Sequence, residues 1–136
     1  MEQSLIEYPL IQGKVIDMIV PSRKSRIVIK KGTENVLLKL EDVLLFYTEN
    51  KIIYLLDRFL KKHMYDKNLS ELESMLNSEM FFRANRKYIL NINYIRSYKS
   101  FEKVKLAVEF TLPDIYHKVI ISQETAPVFK KWITGF

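Results

Sequence analysis

Between Phe81 and Asn91 the chain reads FFRANRKYILN, which groups the guanidinium groups of Arg83 and Arg86 and the ammonium of Lys87 around Asn85. Such cations make no bonds by themselves. They neutralise phosphates, and the planar fork of an arginine can hold two acceptors on one base edge. From Met80 to Lys105 the cations Arg83, Arg86, Lys87, Arg96, Lys99, Lys103 and Lys105 face a single acid, Glu102. That local excess equals the net charge of +6 carried by all 136 residues, so the rest of the chain is close to balanced. A basic strip interleaved with aromatic anchors can lie on a phosphate backbone while a core packs beneath it.

Other chemistries lack their residues. There is no cysteine, which excludes disulfides, thiolate metal sites and cysteine nucleophiles and fits a reducing cytoplasm. His63 and His117 have no ligand or triad partner at a recognisable spacing and are expected as surface or strand residues. The three glycines, Gly13, Gly32 and Gly135, build no phosphate-cradling loop. Carboxylates are scattered, and Glu41-Asp42 reads as a solvated approach to a strand. No catalytic residue, metal ligand or cofactor is expected, and the chain reads as a non-enzyme.

The elements that must position the basic strip are mostly strands. Met1 to Gln12 has no clear period. Short branched-rich runs follow at Val15–Val20, Arg26–Lys30, Val36–Leu40, Val43–Tyr47 and Ile52–Leu56, separated by turn chemistry that favours strands over helices. Thr48 to Lys51 reads as a hairpin loop, Asp57-Arg58 as a turn, and Phe59–Tyr65 as another strand. Asn68 and Glu71 form a capping box for a short helix with Leu69, Leu72, Met75 and Leu76 on one face.

The Phe81–Asn91 stretch reads as one strand, with Phe82, Ala84, Tyr88, Leu90 and Ile92 on the core face and Phe81, Arg83, Asn85 and Lys87 opposite. Strict alternation would bury Arg86, so a bend or bulge between Ala84 and Lys87 is expected to turn it outward. Tyr94–Ser97 and Lys103–Phe110 are expected as strands around a Lys99-Ser100 turn, and Lys118–Ile121 as the last strand. Ser122 is expected to cap a terminal helix with Val128, Phe129, Trp132 and Ile133 on its apolar side and Lys130-Lys131 near its C-terminal end.

The length fits one domain, and 48% hydrophobic with 28% charged residues is ordinary globular composition. No apolar run approaches the roughly 18 to 20 residues of a membrane span. Glu2 and Glu7 stand where a secretory signal would carry basic residues. An isoelectric point near 9.4 favours a polyanionic partner, whether nucleic acid, anionic membrane surface or acidic protein.

The ordered blocks resemble the LytTR family, the DNA-binding output domain of many bacterial response regulators. The resemblance rests on Leu69-Ser70-Glu71-Leu72, then Phe81 to Asn91 in the pattern F-x-R-x-N-R-x-Y-I-L-N. It is supported by Asp42-Val43-Leu44 before the first hairpin, and by Val119-Ile120-Ile121-Ser122 with Glu124 and Phe129-Lys130-Lys131-Trp132 at the end. It implies a mostly β fold, an elongated stack of small antiparallel β-sheets with two short helices, over residues 28–134, behind an N-terminal lead-in at 1–27.

It also implies that loops, not a recognition helix, enter successive major grooves of double-stranded DNA. The implied contacts are Thr48, Glu49, Asn50 and Lys51 in the first hairpin, Asn85, Arg86 and Lys87 in the motif, and Ser122 and Gln123 before the last helix. Arg86 is placed for a bidentate contact to guanine, whereas Lys51, Lys87 and Lys130 neutralise phosphates. The N-terminus of the last helix offers a further phosphate position. Gln123 stands where the family usually has arginine, which implies an altered base preference or weaker binding there. Family members commonly carry a receiver domain ahead of this one, so the chain is either freestanding or an excised output domain.

The leading expectation is a cytoplasmic bacterial transcriptional regulator, two copies binding a direct repeat and no membrane. One alternative is a basic β domain that binds a protein partner or single-stranded RNA through the same strip. Stacking on RNA would need exposed aromatics, and Phe82 and Tyr88 share the apolar parity. A ligand-sensing β domain, which would require a cavity, is a third reading.

Overall fold

A computed structural model describes residues 25–135. The expected strand at Val15–Val20 and the lead-in Met1–Gln12 lie outside the described residues. The fold is mostly β, a stack of small antiparallel sheets with two short helices among the described residues. In chain order the elements are β1 (Arg26–Lys31), β2 (Glu34–Lys39), β3 (Val43–Glu49), β4 (Ile52–Asp57), β5 (Lys62–Tyr65), α1 (Leu69–Met75), β6 (Phe81–Arg83), β7 (Tyr88–Asn91), β8 (Ile95–Phe101), β9 (Lys105–Phe110), β10 (Val119–Ile121) and α2 (Ala126–Thr134).

A five-stranded sheet in the order β5-β4-β3-β7-β6 forms the middle layer. Against one face lie the β1–β2 ribbon and α1, around Ile29, Phe46, Leu55, Leu72, Phe81 and Ile89. Against the other lie the β10-β9-β8 sheet and α2, around Leu45, Tyr88, Leu90, Val119, Ile121 and Phe129. Burial on both faces explains why VLLFY, and IIYLL beyond its exposed first isoleucine, are apolar runs where a half-exposed strand would alternate. Each face buries alternate residues, so Tyr88 and Leu90 enter one core and Ile89 the other.

Local chemistry fixes the elements as expected in several places. Asn68 Oδ1 accepts from the Glu71 N–H at 2.8 Å and Glu71 Oε1 accepts from the Asn68 N–H at 3.0 Å, closing the capping box of α1. Leu69, Leu72 and Leu76 are buried beneath it. The β3–β4 turn is a two-residue loop with Asn50 at φ 53 and Lys51 at φ 66, the left-handed pair of a type I′ hairpin. Thr48 and Glu49 belong to β3 and not to the loop.

Other expectations need correction. The stretch Phe81–Asn91 is not one bent strand. It is a hairpin, with β6 and β7 paired from Phe81↔Asn91 to Arg83↔Ile89 and a loop over Ala84 to Lys87. Phe81 is accordingly buried, in the core of the opposite face, and Ile92 leaves the strand for a 3-10 turn. The Phe59–Tyr65 strand begins only at Lys62, because Asp57 Oδ1 holds the N–H groups of Phe59 and Lys61 in a loop. The β8–β9 turn lies at Glu102–Val104, beyond Lys99-Ser100, with Glu102 at φ 48 and Lys103 at φ 71. The N-cap of α2 is Thr125, and Val128 is 58% exposed.

Candidate nucleic-acid interface

The antiparallel register decides which loops meet. Tyr47 pairs with both Tyr54 and Tyr88, so the β3–β4 turn and the Ala84–Lys87 loop lie at one end of the central sheet. The Thr48 N–H donates to the Lys87 carbonyl at 3.1 Å and ties the two together.

The Ala84–Lys87 loop is built by its own side chains. The Ala84 N–H donates to the Tyr88 carbonyl at 2.9 Å. Asn85 Oδ1 accepts from the N–H groups of Lys87 at 2.8 Å and Tyr88 at 3.1 Å, an Asx-type turn. Arg83 clasps the loop from below, donating from Nε to the Asn85 carbonyl at 2.9 Å and from Nη2 to the Arg86 carbonyl at 3.2 Å. Its Nη1 reaches Glu73 of α1 at 3.3 Å. These bonds turn Arg86 outward, as expected. Its side chain is exposed and makes no hydrogen bond or ion pair among the described residues. Lys87 is exposed beside it, its Nζ 5.5 Å from the Tyr88 ring centroid.

A third segment crosses the same end. Asn85 Nδ2 donates to the Ile120 carbonyl at 2.9 Å, bringing β10 against the loop. Three residues earlier, the His117 ring packs 4.3 Å from Tyr47, and its Nδ1 shares a 2.9 Å hydrogen bond with the Tyr88 hydroxyl. Burial lowers the His117 pKa, and nearby Lys87 lowers it further. Burial raises that of Tyr88, so the phenol stays protonated. After β10 the chain turns at Ser122, whose carbonyl accepts from the N–H groups of Thr125 at 3.2 Å and Ala126 at 2.9 Å. Ser122 and Gln123 are exposed on that turn, as is Lys130 on α2.

The geometry therefore gathers Asn50 and Lys51, Asn85 with Arg86 and Lys87, and Ser122 with Gln123 from three segments. Asn85 differs from its neighbours in facing inward, its carbonyl oxygen and one N–H engaged in holding the loops. Sequence reasoning passed over His117 and Tyr47 as parts of this site, and counted Arg83 among the cations of the strip without its role in holding the loop. Arg83 carried a local signal, two residues before Asn85, but the His117 contacts join segments far apart in the chain. Among the described residues no cluster of histidine or acidic side chains could hold a metal ion. None of their helices is long and apolar enough to cross a membrane.

The aromatic residues of the closing Phe129–Trp132 segment pack α2 onto the core. Phe129 is fully buried against Phe82 and Tyr98, Trp132 stacks on Phe82 at 5.0 Å, and the Trp132 indole N–H donates to the Ser78 carbonyl at 2.8 Å.

Comparison with known proteins agrees with this architecture. Among solved structures, a LytTr DNA-binding domain assigned to a methyl-accepting/DNA response regulator from Bacillus cereus superposes with a TM-score of 0.70. It is 23% identical, with 83% of this chain and 99% of that one covered, a likeness of fold. No curated protein matches the chain. The family model described as the LytTr DNA-binding domain matches residues 33–134, and the chain belongs to that LytTR family of DNA-binding domains.

Proposed function

We propose that the domain reads a specific sequence in double-stranded DNA and regulates transcription in the bacterial cytoplasm. In this reading the Arg86 loop and the Ser122-Gln123 loop enter successive major grooves, and two copies occupy a direct repeat, recruited by an upstream sensor or receiver. The observation that carries it is the convergence of three loops at one end of the central sheet, with Arg86 exposed and unpaired at their centre. Arg86 offers its fork to guanine O6 and N7, and Gln123 offers its amide to adenine. Lys51, Lys87 and Lys130 meet phosphates, and Asn50 and Ser122 donate to the sugar-phosphate backbone. Asn85 acts from beneath, as the residue that sets the distance between the two reading loops.

The single-stranded RNA alternative loses the stacking platforms of the motif itself, because Tyr88 is 5% exposed and Phe82 is covered by Trp132. The test is selection of bound fragments from random duplex by wild type and Arg86→Ala. A repeated motif is expected, relaxed by Arg86→Ala at one position per repeat at a cost of about 1 to 3 kcal/mol. Weak, salt-labile binding without an enriched motif would refute the reading.

A further inference from the structure

We infer that the outer face of the β10-β9-β8 sheet is a second DNA-contacting surface, a cationic groove that takes the phosphodiester backbone flanking the bases read by the loops. This inference rests on the DNA-binding reading above. The groove is open, about 680 Å³, and sits under the Leu112–Lys118 connection. It is lined by Arg96, Lys99 and Lys118 with one carboxylate, Glu109. Glu109 lies 3.5 Å from Arg96 and 3.7 Å from Lys99, so two cations share one acid and a net positive charge remains. Lys118 Nζ has no carboxylate partner among the described residues and rests 4.5 Å above the Phe101 ring centroid. Tyr116 stands beside them 94% exposed, its hydroxyl available as a donor.

Position favours the duplex over another polyanion. His117 touches Tyr47 and Tyr88 while Ile120 takes the Asn85 N–H, so β10 lies across the reading end and does not run away from it. Ile120 pairs with Ala107, and Ala107 with Lys99, which places Lys99 two strands across the same row. At about 4.8 Å per strand that is roughly 10 Å from the Asn85 contact. From Lys118 to Ser122 the extended chain covers about 13 Å at 3.3 Å per residue. Both spans are close to the roughly 12 Å width of the major groove, so cations at these offsets meet the phosphates bordering a groove whose floor the loops occupy. The surface supplies affinity and register without base preference.

The experiment measures the salt dependence of binding to the selected operator, as a minimal duplex and as one extended by several base pairs on each side. Wild type is compared with Arg96→Ala/Lys99→Ala/Lys118→Ala and with the single reversal Lys99→Glu, all at exposed positions. On the extended duplex the triple variant is expected to lower the slope of log K against log salt by about 2, since Glu109 already offsets one cation. Lys99→Glu lowers it in the same direction, and the selected motif stays the same. A wild-type slope for both folded variants on the extended duplex overturns this inference alone. A wild type that selects no motif removes the DNA reading and this surface with it.

Discussion

The side chain of Asn85 donates to the backbone carbonyl of Ile120 at 2.9 Å, joining a hairpin loop to a strand 35 residues further along the chain. On its other side the same amide caps Lys87 and Tyr88. One residue therefore shapes the Arg86 loop and docks it beside the Gln123 loop. Asn85→Ala is expected to destabilise the domain by about 1 to 3 kcal/mol, the cost of leaving partly buried groups unpaired. The distinguishing readout is a double-mutant cycle on operator DNA. Arg86→Ala and Gln123→Ala are expected to be coupled in wild type and additive in the Asn85→Ala background. Unchanged coupling would restrict Asn85 to folding.

Lys51 occupies the second position of a type I′ turn at φ 66, where glycine is the preferred residue. A non-glycine residue held in the left-handed region costs roughly 1 to 2 kcal/mol, so an exposed lysine kept there points to a use for its charge. Lys51→Gly is expected to leave stability unchanged or raise it by up to about 1 kcal/mol. It should also lower the salt slope of DNA binding by about 1. Thermal melting and a salt titration separate the two effects, and a variant that melts higher with the full wild-type slope would clear Lys51 of any phosphate contact.

Much of this was legible where the signal is local. The capping box at Asn68 and Glu71 lies within four residues, and the outward turn of Arg86 followed from the cost of burying its charge. The fold class and the family lay in the ordered motif. What stayed hidden was set by partners distant in sequence, or by turns without the usual residues. The hairpin at Ala84–Lys87 contains neither glycine nor proline and is held by Arg83 and Asn85 side chains, so it read as a continuous strand. The Glu102-Lys103 turn likewise adopts left-handed backbone without glycine. Alternation placed Asn85 on the outer face of a strand, whereas in the loop its amide turns inward to the Ile120 carbonyl, a partner 35 residues away.

Asp57 and His63 form a buried pair at the opposite end of the central sheet, 4% and 5% exposed, with Oδ2 to Nε2 at 2.8 Å. Asp57 Oδ1 also accepts from the N–H groups of Phe59 and Lys61 at 2.8 and 2.9 Å. Asp57→Ala removes all three bonds and is expected to cost about 3 kcal/mol or more. Asp57→Asn keeps the Oδ1 acceptor and is expected to cost less than half as much. Urea unfolding of both variants checks the order, and equal losses would mean that the loop bonds contribute little. DNA affinity of the folded variants should be unaffected, since neither residue faces the reading end.

The surroundings of His117 give the domain a pH dependence whose sign can be worked out. Burial lowers its pKa below the ordinary imidazole value of 6.5, Lys87 and Lys62 lower it further, and Glu49 opposes them. The unfolded chain therefore binds a proton at a higher pH than the folded domain does. Stability from this residue is complete above about 6.5 and is lost as the pH falls from there towards the folded value. His117→Gln keeps a polar group near the Tyr88 hydroxyl but cannot titrate. Chemical denaturation of wild type and His117→Gln between about pH 7.5 and about pH 5, which brackets the ordinary imidazole value, isolates the contribution of His117. Wild type is expected to lose stability more steeply on acidification, with the two curves parallel at the alkaline end. The reverse order of slopes would show that acidification charges His117 more readily in the fold than in water, and that Glu49, not burial, dominates its surroundings.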